Sequence, residues 1–200
     1  MKGSLVIVGF FVLGAVCGYA HVVPGWLSGS NVSFTALCAL MFCVGMTVGS
    51  NPKSFSEFRS LSPRLAMLPL MTILGTIGGS AAASLILMHR SLTDCLAIGA
   101  GFGYYSLSSV FITEYKGAEL GTVSLLANIC REIITLLAAP LLARWCGRLA
   151  PIAAGGATTM DTTLPIISRA SGQEFIALSI FHGFAVDFSV PFLVTLFCSV

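Results

Sequence analysis

The chain has 200 residues, of which 56% are hydrophobic and only 9% charged, and its mean hydropathy is +0.95. Soluble domains carry about 25% charged residues, so this composition excludes a soluble fold and makes lipid the expected solvent. The net charge of +2 says nothing about nucleic acid, and no basic run is present that could track phosphates, so no nucleic-acid partner is expected.

Taken in chain order, Ser4–Val23 is the first stretch long enough to cross a bilayer. Lys2 and the apolar run after it imitate a signal peptide. The end at Cys17-Gly18-Tyr19-Ala20 lacks a small-x-small cleavage pattern, so the segment reads as a retained span. Val32–Ser50, Leu65–Met88, Leu120–Ala143 and Phe175–Ser199 follow as further spans. Two other segments are apolar but broken: Cys95–Thr113, containing GAGFGYYSLSS, and Pro151–Ile167, containing GGATTMDTTLP. The expected fold is an all-α integral membrane protein of about five transmembrane helices plus two re-entrant, broken helical hairpins. Residues 1–200 then form a single membrane transporter domain. The cysteines Cys17, Cys38, Cys43, Cys95, Cys130, Cys146 and Cys198 stand singly, without CxxC or Cys/His metal spacing, and read as small buried hydrophobes.

Lys and Arg in short loops set orientation. Lys2 places the N-terminus in the cytoplasm, the loop with Lys53, Arg59 and Arg64 follows on that side, and His89, Arg90 and Asp94 fall outside. If both broken segments crossed fully, Arg144 and Arg148 would lie outside, against the charge bias. If both are re-entrant, Arg144, Arg148 and Arg169 all lie inside and the C-terminus is outside. Only Arg90 and Lys116 then depart from the rule, and both sit near Asp94, Glu114 and Glu119. One hairpin dips from each side, the inverted arrangement of many transporters.

Irregular backbone at membrane depth survives only where protein buries it or it lines a wet cavity. Gly101, Gly103, Gly155 and Gly156 permit such turns, and half-helix ends offer N–H groups to anions and C=O groups to cations. Asp161 is the sharpest side chain. Burial favours its neutral acid and a bound cation favours its carboxylate, so one site can exchange a proton for a substrate ammonium; the plain alternative is an interfacial helix cap. Thr158, Thr159, Thr162 and Thr163 surround it as ligands or caps, with one or two expected as ligands. Arg131 and Glu132 point about 100° apart on a helix, and Arg131 shares a face with Asn128. Arg131 either binds a substrate carboxylate, locks Asp161, or belongs to a structural network. Tyr104, Tyr105, Ser106 and Ser108 read as an aromatic belt or a polar pocket wall. Glu114 and Glu119 read as solvated loop charges, or Glu114 gathers cations at a cavity mouth. His182 and Asp187 lie diagonally on the last span; His182 either titrates near neutrality or is a hydrogen-bonded packing residue.

GFGYYSLSS, NICREI, GGATTMDTTLP and FHG occur in this order, and together they resemble the LysO-type lysine exporter family. The resemblance covers nearly the whole chain and is densest from residue 95 to 190. It implies export of L-lysine and lysine-like antimetabolites across the bacterial inner membrane, with the family's intramembrane acid at Asp161. Asn128, Arg131, Glu132 and His182 also match its pattern, whereas Asp187 does not. The resemblance covers the C-terminal two-thirds of a full-length member. Such members carry roughly three more spans at the start, with a second acid, which implies a small membrane subunit or self-association here. The coupling ion expected is H⁺, with Na⁺ as the alternative; no cofactor, metal or enzymatic activity is expected. The competing readings are an intramembrane aspartyl protease using Asp161 and Asp187, although Met160 breaks its GxGD motif, a Na⁺-coupled carrier of a small organic anion, and a structural membrane subunit.

Overall fold

The computed structural model describes residues 63–87 and 90–200, together with scattered helical positions between 13 and 46. The expected spans Ser4–Val23 and Val32–Ser50, the loop charges Lys53 and Arg59, and the side of the membrane taken by the N-terminus lie outside that description. Everything described is helix, turn or short connection, without a strand.

Among the described residues, three helices are long and apolar enough to cross a membrane. We number the described helices from the first of these: α1 Leu68–Ile86, α2 Leu92–Gly99, α3 Tyr105–Lys116, α4 Ala118–Cys146, α5 Ala150–Gly155, α6 Leu164–Ser171 and α7 Ile176–Cys198. A helical turn at Pro63–Ala66 precedes α1, and 3₁₀ turns occupy Gly156–Met160 and Gln173–Phe175. α1, α4 and α7 match the spans expected at Leu65–Met88, Leu120–Ala143 and Phe175–Ser199, with ends shifted by a few residues. α4 outruns its expected limits because it continues through Pro140 and runs between Gly117 and Gly147, whose positive φ values of 93° and 92° end the helix on both sides. Pro69, Pro151 and Pro165 sit in the first turns of α1, α5 and α6, where a missing N–H leaves no bond unmade.

The two broken segments are the centre of the architecture. In the first, α2 and α3 flank an irregular turn at residues 100–104. Their far ends are held together: Lys116 Nζ lies 3.8 Å from Asp94 Oδ1, and Arg90 pairs with Glu119. The chain therefore folds back on itself instead of running straight on. In the second, α5 and α6 flank residues 156–163, and Arg148 closes the base by donating from Nε to the Ser171 carbonyl at 2.6 Å and from Nη2 to Glu174 Oε1 at 2.5 Å. The bases of the two hairpins adjoin opposite ends of α4, about 40 Å apart at 1.5 Å per residue.

The tips meet between those ends. The Ala157 N–H donates to the Phe102 carbonyl at 2.9 Å, joining one turn to the other. Phe102 and Ala157 pack with Ala97, Ala100, Leu107 and Ile112 against Val186, Val190 and Val194 of α7. Phe102 is fully buried and holds a left-handed φ of 45°. Such a conformation costs about 1–3 kcal/mol in a non-glycine residue and persists only where its surroundings over-determine it. A second cluster, Ile152, Ile167 and Leu178 with Leu65, Leu68 and Phe175 around it, closes the base of the second hairpin. Lipid is as apolar as these side chains, so close packing and polar contacts, not water exclusion, hold the helices to one another.

Candidate functional site

α4 anchors both tips from one face. Ten residues in from Ala118, or about 15 Å along the axis, Asn128 accepts the Gly103 N–H at 2.7 Å through Oδ1. Its Nδ2 donates to the carbonyls of Ser124 at 2.9 Å and Ile98 at 3.2 Å. Asn128 thus fills the polar vacancies left where α2 breaks. One turn on, Arg131 does the same for the other hairpin. Nε donates to the Ala154 carbonyl at 2.9 Å, Nη2 to Ala153 at 3.1 Å and Nη1 to Thr76 Oγ1 at 3.3 Å. The guanidinium also lies over the Phe102 ring, 6.0 Å from its centroid. A cation at the carbonyl end of a half-helix opposes the negative pole there. Residues 128 and 131 are neighbours on one helix face, so one stripe of α4 secures two half-helices that enter from opposite ends. Of the roles weighed for Arg131, this geometry is the structural one: its nitrogens face carbonyls and a hydroxyl, not Asp161.

The second tip is secured by its threonines. Thr158 Oγ1 donates to the Gly155 carbonyl at 2.9 Å and lies 3.1 Å from Thr163 Oγ1. Thr159, fully buried, reaches the carbonyls of Gly156 and Ser179, both at 2.9 Å, and His182 Nδ1 at 3.2 Å. His182 Nε2 in turn lies 2.8 Å from Thr72 Oγ1 of α1. The Thr159 hydroxyl has one proton, and it faces two carbonyls. It therefore accepts from His182 Nδ1–H, which leaves Nε2 to accept from Thr72. The imidazole bridges α1, α7 and the tip, with a partner at both nitrogens.

Close approach fixes two glycines. Gly156 has φ 63°, and a β-carbon there would strike the Phe102 carbonyl. At Gly183 a β-carbon would lie 2.7 Å from Met160 N and Thr159 Oγ1, so only a glycine lets α7 touch the 3₁₀ turn.

Asp161 stands apart from this satisfied framework. It is exposed, and its Oδ1 accepts from the Thr162 N–H at 2.5 Å and the Thr162 hydroxyl at 3.3 Å. Of the threonines expected to share a ligand role, Thr162 is the one beside the carboxylate; Thr158 and Thr159 are turned to backbone carbonyls. Glu132, buried on α4, and Asp187, buried on α7, both lie within electrostatic range of Asp161, and Tyr104 lies within range of both aspartates. Tyr105 is placed elsewhere, packed with Leu125 and Ile129 of α4. Ser106 is half-buried in the first turn of α3, and Ser108 Oγ donates to the Tyr104 carbonyl at 2.9 Å. No metal-ligand cluster is found among the described residues. Sequence reasoning missed Thr72 and Thr76, which tie α1 to His182 and Arg131. Their i, i+4 spacing, continued by Ser80 and Ser84 on a helix without charged residues, was the available signal.

Helices of spanning length around two meeting breaks define an all-α membrane protein with its polar groups at the tips. The family described as lysine exporter LysO matches residues 8–198, and the chain belongs to that family, one of transporters and not of enzymes. The intramembrane protease reading is thereby overturned. A protein of Haemophilus influenzae provisionally named a lysine exporter is 35% identical over 98% of this chain and 96% of its own length. Lysine exporter LysO of Escherichia coli K12 is 29% identical over 97% of this chain, which spans 64% of that relative's length. No solved structure matches the chain.

Proposed function

We propose that the chain is a secondary active exporter of L-lysine and lysine-like antimetabolites, coupled to protons. The observation that carries this reading is the Asp161 carboxylate, presented at the meeting point of two broken hairpins with further acids within range. An acid at membrane depth is costly and is by default functional. Here it offers a charge complementary to an ammonium, with the Thr162 hydroxyl beside it. The acidic surroundings, with Arg131 committed to carbonyls, disfavour an organic anion. The two relatives named for lysine export give the substrate. The test is counterflow of L-lysine in proteoliposomes with and without a proton gradient. Accumulation of labelled lysine that responds to the gradient is the expected result; uptake of a small organic acid instead, or no lysine movement, would sink the reading.

The same reading gives five spans with two re-entrant hairpins in the bacterial inner membrane, as one transporter domain over residues 1–200. Arg144, Arg148 and Arg169 gather at the end shared with the second hairpin's base, which the positive-inside bias assigns to the cytoplasm. The other end, with Arg90 and Lys116 matched by Asp94 and Glu119, then faces outward together with the C-terminus. In a variant lacking other cysteines, an impermeant thiol reagent should label Lys116→Cys on intact cells and Cys146 only after permeabilisation. Labelling of both from one side would refute the hairpin topology. Assembly completes the proposal: a second copy or a small membrane subunit packs against the chain, and Gly75, Gly78 and Gly79 meet open space among the described residues.

A further inference from the structure

Asp187 has so far been given no role beyond lying within electrostatic range of Asp161. It lies eleven residues into α7, about 17 Å from the start of that helix, and so near its middle. Its side chain is 5% exposed; among the described residues it makes no side-chain hydrogen bond or ion pair, and its oxygens are not among the atoms sealed from solvent without a partner. A carboxylate so nearly buried is costly to ionise without a partner or a bound cation beside it. Two neighbouring features add to its isolation. Val186 and Val190, fully buried, hold this stretch of α7 in the apolar cluster. Pro191 has no N–H, so the backbone carbonyl of Asp187 lacks its usual helical donor four residues on. Both the carboxylate and the carbonyl of one residue are therefore open at mid-helix.

Asp187 shares a face of α7 with the residue that touches the tip cluster. Gly183, one turn back, carries the contact with Met160 and Thr159, and Asp187 is in electrostatic range of Asp161 and Tyr104. Two acids on different elements thus lie near the same junction. Like charges at close range in a desolvated site cannot both persist without cations. L-lysine brings two ammonium groups on one flexible chain.

We propose that Asp187 is a second cation subsite of the exporter: Asp161 holds one ammonium of the substrate and Asp187 the other. This rests on the lysine-export reading and deepens it. It makes selectivity for lysine over an isosteric amino acid with one ammonium a property of α7, not of the hairpin.

The test uses the reconstituted full chain. A hydrophobic carbodiimide modifies buried carboxyl groups, and mass spectrometry separates adducts at Asp161 from those at Asp187. Saturating L-lysine should lower modification of both acids by about tenfold, following site occupancy, while norleucine should leave Asp187 reactive. Protection of Asp161 alone would overturn the second subsite and leave the export reading standing. Protection of neither would overturn both. Transport gives the second readout. Asp187→Asn should raise the KM for lysine by about tenfold or more, the scale of one lost charge-assisted contact, leave inhibition by norleucine unchanged, and be partly rescued by Asp187→Glu. A variant that only loses thermal stability, with lysine KM and selectivity unchanged, would show Asp187 to be a packing residue and overturn the proposal.

Discussion

Asp161→Asn should abolish lysine export, by at least about a hundredfold, in protein that is expressed, inserted and folded. The exchange keeps size and shape and removes the charge. The fold should tolerate it, because Asp161 is exposed and the bonds it accepts both come from Thr162 onto Oδ1; an asparagine carbonyl oxygen accepts the same two. The site should not, because an ammonium entering a low-dielectric junction leaves its water behind and needs an opposite charge in return. No threonine supplies that charge, and the remaining acids, Glu132 and Asp187, sit on other helices. Asp161→Glu keeps the charge but displaces it by about one methylene, beyond the half-ångström tolerance of a preorganised site, so it should retain little activity. Lysine export at wild-type level by a well-folded Asn variant would remove Asp161 from the mechanism and the central claim with it.

Much of this was legible in the sequence, for reasons tied to particular residues. The three long described helices announced themselves by uninterrupted apolar length, which the bilayer thickness turns into spans. The two breaks were legible because glycine clusters and a lone aspartate interrupt apolar runs at Gly101–Gly103 and Gly155–Asp161. Roles within the breaks were not legible. Asn128 and Arg131 look like ligands in a sequence because they are polar in an apolar helix. Only the fold shows that their donors meet carbonyls freed by the breaks. Thr158 and Thr162 are alike in sequence, yet one caps a carbonyl and the other attends Asp161; a turn of backbone decides this. His182 gave no hint of its partners because Thr72 lies 110 residues away. Asp187 was assigned no part in the export site because the family resemblance did not include it, whereas its near-complete burial without a hydrogen bond among the described residues is a fact of packing.

Arg131 gives the other large effect, and its sign separates a structural from a substrate-binding guanidinium. Removing it leaves the carbonyls of Ala153 and Ala154 without their donors at the end of α5, and releases the Thr76 contact that ties α1 to the same point. A hydrogen bond from a charged group contributes about 1.5–3 kcal/mol, and stranded buried acceptors add to the loss. Arg131→Leu should therefore destabilise the protein by about 3–5 kcal/mol, seen as poor recovery of folded protein and a low thermal midpoint in detergent. Arg131→Lys keeps the charge near the half-helix end but lacks the fork that reaches two successive carbonyls, so it should fold, with a reduced midpoint and slower export. The decisive measurement is substrate preference in the Lys variant. If Arg131 serves only the hairpin, lysine and a diamine of the same chain length without the carboxylate should lose transport in equal proportion. A selective loss of lysine, with the diamine spared, would mean that the guanidinium meets the substrate carboxylate during the cycle and lets go of the carbonyls to do so.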